Sequence, residues 1–92
     1  MSATDELIAS AELGEEAKKF LEGDLGRVLV GLAQQEIDLA HEALEIADPV
    51  DTEAIRGLQN KIKVGRWFTE WLNQLVAEGE QAIHVYKQQQ EI

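Results

Sequence analysis

The chain predicts an all-α protein built as a long antiparallel helical hairpin, coiled-coil-like and with a short N-terminal helix, and three observations carry that prediction. The first is composition: the 92 residues include one proline and no cysteine, and alanine, leucine, glutamate and glutamine dominate. Such a chain favours helix and must hold together by packing alone. The second is an apolar periodicity of three-and-four steps on both sides of a single turn. The third is a row of small residues seven apart, Gly26, Ala33, Ala40 and Ala47, facing a segment that carries Gly65 and Gly79. Small residues at this spacing let two helix axes come close.

Taken in order, residues 1–13 read as a short N-terminal helix or a frayed arm. Leu7, Ile8, Ala11 and Leu13 give it an apolar face, Ser2 or Thr4 opens it, and Gly14 is the expected break. Residues 14–47 form helix one, and its stretch from residue 25 onward carries two interleaved seams. Leu25, Leu29, Leu32, Glu36, Leu39, Ala43 and Ile46 make one; Gly26, Val30, Ala33, Ile37, Ala40, Leu44 and Ala47 make the other. A hairpin gives each helix one neighbour, so the surplus seam calls for another helix, either the N-terminal segment or a second copy of the chain.

Residues 48–52 form the turn. Pro49 forbids continuation of helix one, and two capping schemes are open: Asp48 with Pro49 at the first helical position, or Asp51 one turn later. Helix two, residues 53–88, repeats Ile55, Leu58, Ile62, Gly65, Thr69, Leu72, Val76, Gly79, Ile83 and Tyr86 in threes and fours. A glycine inside a helix costs about 1 kcal/mol against alanine, so Gly65 and Gly79 imply close packing. Folding back about Pro49 places opposite each other residues whose numbers add to about 98. Ala33 then faces Gly65 at the closest approach and Gly26 faces Leu72, while the tail from Gln88 to Ile92 is left without a partner and frays. The molecule should be a rod, each arm roughly 50 Å or more long at about 1.5 Å per residue.

Charge narrows the classes of partner. The net charge is −10, and residues 1–60 hold all of the excess, with fourteen acidic against four basic side chains; residues 61–92 hold four of each. Phosphate binding needs clustered cations, so direct nucleic-acid binding is not expected. No apolar run approaches the roughly 20 residues a membrane span requires. A domain of this size buries only roughly 60% of its unfolded surface, which makes oligomerisation a common remedy.

The candidate chemistry is sparse. Asp38 and His41 share a face beside Glu36 and Glu42, and Glu80 lies one turn from His84, but the folding-back register puts the two histidines at opposite ends of the rod. Neither a metal nor another cofactor is expected, and no nucleophile with a base suggests catalysis. Glu36 interrupts an otherwise apolar seam, and a seam ion pair with Lys61 and Lys63 is its simplest account. Val64, Phe68, Trp71 and Leu75 form a second apolar strip on helix two, with Trp67 beside it. Tryptophan is a frequent interface anchor, so this strip is the expected surface for self-association or for a partner.

Asp24-Leu25-Gly26-Arg27, the Asp-Pro-Val-Asp turn, Ile55 to Gln59 ahead of Lys61, and Trp71-Leu72 followed by Gly79 resemble a group of small helical-hairpin proteins that tailed bacteriophages encode near their packaging and head-assembly genes. The similarity covers roughly residues 20–82 and implies a setting, a phage or prophage, without a mechanism. It implies the cytoplasm of a bacterial host, or the virion, as the location. The expected function is a non-enzymatic, self-associating module in particle assembly or DNA packaging, whose partner is a second copy or another phage or host protein. The alternative is an acidic inhibitor that mimics DNA and occupies a basic site on a host defence protein.

Overall fold

Proline at position 49 stops one helix, and the aspartates around it start the next. The second of the two capping schemes holds. Asp48 Oδ1 accepts the Val50 N–H at 3.1 Å and so shapes the turn, while Asp51 accepts the Ala54 N–H at 3.2 Å as the cap of the long helix. The structure, a computed structural model, describes residues 2–91, and among these there is no strand. Three helices follow one another: α1 Ala3–Glu22, α2 Asp24–Ile46 and α3 Thr52–Gln90. They form the expected rod, 62 × 27 × 19 Å, with α2 folded back on the first half of α3 and α1 on the second half.

The α2–α3 pairing follows the expected register. Ile37, Ala40 and Ile62 form its buried centre, with Leu44 and Leu58 packed against them. Gly65 lies at the level of Ala33: a Cβ placed on it would stand 3.2 Å from the Ala33 carbonyl oxygen and 2.7 Å from Ile37 Cγ1. Ala47 sits just beyond α2, in extended backbone and half-buried.

The N-terminal third departs from expectation. Gly14 does not break the chain; α1 opens at Ser2, whose hydroxyl accepts the Asp5 N–H, and runs on through Gly14 to Glu22. The break falls at Gly23, whose N–H donates to the carbonyls of Lys19 and Phe20 and whose own carbonyl accepts the Arg27 N–H at 3.0 Å. Gly14 is helical because it meets Gly79: a Cβ on Gly14 would lie 2.7 Å from Gly79 Cα and 2.8 Å from the Leu75 carbonyl oxygen. Close packing outweighs the intrinsic cost of glycine. The backbone approach to α3 is therefore closer here than at Ala33 and Gly65.

Gly26 is also displaced from its expected role. It is buried against the end of α1, where a Cβ would fall on the Phe20 carbonyl oxygen, and not against Leu72. The break changes the register as well. Along α1 the facing numbers add to 93, as Gly14 and Gly79 show, so the step at Gly23 absorbs about five residues, roughly 7 Å of rise. Because α1 runs on through Gly14, it reaches along the tail, with Ala3 beside Gln89, and α3 is helical through Gln90. Ile92, the last residue of the expected frayed tail, lies outside the described residues.

Not every glycine is needed for packing. Nothing lies within 4 Å of a Cβ placed on Gly31, in an exposed stretch of α2. Gly31→Ala should therefore gain the ordinary helix preference of alanine, about 1 kcal/mol. Thermal unfolding followed by circular dichroism should show a rise of roughly 4–8 °C.

Candidate protein interface

The two seams of α2 have different fates. Gly26, Ile37 and Ala40 of one are buried, whereas Leu25, Leu32, Leu39 and Ile46 of the other form a row of exposed apolar residues seven apart. The three leucines are each more than half exposed and Ile46 is 87% exposed. Seven-residue spacing lets the row drift by only about 20° per heptad, so it stays on the flank of the helix rather than under α3.

An open groove of about 560 Å³ continues this row onto α3. Leu29 and Ala33 line its α2 wall, and Val64, Gly65 and Phe68 line its α3 wall. Beyond it stand Trp67 and Trp71, one helical turn apart, with ring centroids 6.2 Å apart and planes 21° apart. Trp71 remains 60% exposed. The expected strip is thus divided by depth: Val64 and Trp71 are exposed, Phe68 is half-buried in the groove, and Leu75 is half-buried where its carbonyl meets α1 at Gly14. The N-terminal helix covers the end of the strip and leaves the tryptophans open. Leucine row, groove and tryptophan pair form one apolar face shared by α2 and α3. Isolated exposed apolar residues are ordinary, whereas these lie along one flank of the hairpin and adjoin one groove.

Glu36 and Lys61 punctuate the groove, one on each wall and both exposed. The expected cluster of three does not assemble. Lys63 lies on the other flank of α3, in a shallow pocket with His41 and Arg66. Residues two apart on a helix cannot share a face, so a single carboxylate on α2 cannot reach both lysines. The side-chain hydrogen bonds among the described residues are local, such as Gln34 to Asp38 and Gln74 to Glu78, and none involves Glu36 or Lys61.

Elsewhere the polar chemistry stays dispersed. His84 Nε2 lies 3.2 Å from the Gln88 amide nitrogen at the far end of the rod from His41. Among the described residues no three of His, Asp and Glu gather to hold a metal ion. None of the described helices is long and apolar enough to cross a membrane.

Sequence reasoning missed the partnership of Gly14 with Gly79, although its signal was present. Leu7, Ser10, Gly14, Ala17 and Leu21 step by three and four, and the last four positions of that series continue across the glycine without a break in phase. Gly14 and Ala17 are buried and the other three are half-buried. No protein-family model matches the chain, and no curated protein or solved structure matches it either.

Proposed function

We propose that this protein is a non-enzymatic, self-associating helical module whose working surface is the apolar face of α2 and α3. The observation that supports the reading is the exposed row Leu25, Leu32, Leu39 and Ile46 running alongside the open tryptophan pair. A chain of 92 residues that leaves this much apolar surface uncovered gains stability by meeting a second copy. The setting proposed for it is particle assembly or DNA packaging in a tailed phage, on the strength of the sequence resemblance.

The alternative, an acidic mimic of DNA, rests on the net charge of −10. The two readings respond oppositely to salt: burial of apolar surface persists in concentrated salt, whereas a charge mimic loses its basic partner as the Debye length shrinks. Sedimentation velocity over a hundredfold range of concentration, at low and high salt, tests the proposal. A dimer or larger species that survives high salt is expected, and a monomer at every concentration overturns it.

A further inference from the structure

We infer that the second copy packs parallel to the first on the α2–α3 face, about a two-fold axis running along the rod, so that α2 of each copy lies on α3 of the other and Glu36 pairs with Lys61 of the other copy twice. The inference rests on reading this face as the self-association surface, and the placement of charge on the face selects the axis. Rotation about an axis along the rod exchanges the two walls of the groove and keeps every residue at its own height. Rotation about an axis across the rod sets α2 on α2 and α3 on α3. Only the first sets one wall against the other.

Each wall carries one charge. The outer seam of α2 is apolar from Leu25 to Ile46 except at Glu36. On α3 the facing strip runs Ala54, Gly57, Lys61, Val64, Phe68 and Trp71 in threes and fours, and of these Lys61 alone is charged. The α2–α3 register, in which Gly65 is level with Ala33, puts Lys61 level with Ile37 and so beside Glu36. Opposite charges therefore stand at one height on opposite walls of the groove, both exposed, and neither takes part in a side-chain hydrogen bond among the described residues. About an axis along the rod each meets its opposite in the other copy. About an axis across the rod at that height Glu36 meets Glu36 and Lys61 meets Lys61, and at any other height each charge is buried against apolar residues. A polar pair inside an apolar seam is an established means of fixing register.

The apolar positions interlock in the same arrangement. Within one chain α2 and α3 run antiparallel, so parallel copies make every neighbouring pair of helices antiparallel, as in an up-and-down four-helix bundle. Trp71, level with Arg27, enters between Leu25 and Leu29 of the other copy, and Phe68, level with Val30, enters between Leu29 and Leu32. Gly57 is level with His41, and nothing lies within 4 Å of a Cβ placed on it. That space admits Leu39 of the other copy, which is 51% exposed in its own chain.

Two measurements test the direction and the pairing. V50C places a spin label in the turn, where Val50 is 82% exposed, and the chain has no cysteine of its own to compete. Parallel copies hold the two labels within about 25 Å, little more than two helix spacings, whereas an axis across the rod at Glu36 holds them roughly 40 Å apart in a dipolar electron-resonance measurement. In E36K both groove positions are lysine and in K61E both are glutamate, so each variant alone should dissociate about tenfold more readily than the parent in sedimentation equilibrium. Mixed in equal amounts, they form a mixed dimer with two attractive pairs, and affinity should return to near the parental value. All three sites are exposed, and circular dichroism should report unchanged helix in each variant. Labels roughly 40 Å or more apart overturn the direction, and a mixture no tighter than the separate variants overturns the pairing; both results leave the self-association reading in place. If the parent is a monomer throughout, that reading falls and the inference with it.

Discussion

On the proposed self-association, replacing Trp71 with glutamate should separate the copies and leave the hairpin folded. The side chain is 60% exposed and its ring stacks on Trp67, so little of the fold depends on it. At an interface the same ring is an anchor: truncation of a central tryptophan commonly costs 2 kcal/mol or more, and here a carboxylate would also have to be buried. In a symmetric dimer the loss would count twice. The dissociation constant should rise by at least about a hundredfold, while the helical signal at 222 nm stays unchanged. Sedimentation of W71E beside the parent measures the first quantity and circular dichroism the second. An oligomer as tight as the parent's would remove Trp71, and with it this face, from the interface. Loss of helix would show that the indole supports the hairpin itself.

Gly65 illustrates what was legible in the sequence and why. Its partner in space follows from a turn at Pro49 and from helices that rise uniformly, so counting outward from the turn finds Ala33. The core of Ile37, Ala40 and Ile62 follows by the same count. Counting fails at Gly23, because a break moves every later pairing at once, and periodicity does not encode the size of the step. Gly14 reads as a break in sequence for a different reason. Glycine disfavours helix locally, and only its neighbour across the interface, Gly79, reverses the sign. The exposed face was legible as a surplus: two seams on one helix cannot both be covered by a single neighbour. Glu36 stands out in sequence as the charged residue of an apolar seam, yet whether its partner lies within the chain or across an interface depends on three-dimensional placement. Lys61 and Lys63 are two apart, so one helix face cannot carry both, and they stand on opposite flanks of α3.

The contact between Gly14 and Gly79 makes the other large effect. In an open helix Gly→Ala is stabilising, as expected for Gly31, but at Gly14 the added Cβ meets backbone on two sides, Gly79 Cα at 2.7 Å and the Leu75 carbonyl oxygen at 2.8 Å. No side chain can turn aside to make room, so one helix axis must move away from the other. Overpacking of this kind costs about 2–3 kcal/mol, which exceeds the helix preference gained. Gly14→Ala should therefore cost a net of about 1–2 kcal/mol and lower the unfolding midpoint by roughly 5–15 °C, opposite in sign to Gly31→Ala. Gly79→Ala should do the same, since its Cβ meets Gly14 Cα at 2.8 Å, and the pair together should cost less than the sum because one displacement relieves both clashes. The loss has a defined place in the molecule. The cluster of Ile37, Ala40 and Ile62 lies in the other half of the rod, so hydrogen exchange should accelerate through α1 while α2 and the first half of α3 keep their protection. Withdrawal of α1 also uncovers Leu75 and Ala82 and lengthens the apolar face past Trp71. A G14A protein should consequently associate more strongly than the parent, and equal stability of G14A and G31A would show that the two helices tolerate a wider separation than the backbone contact implies.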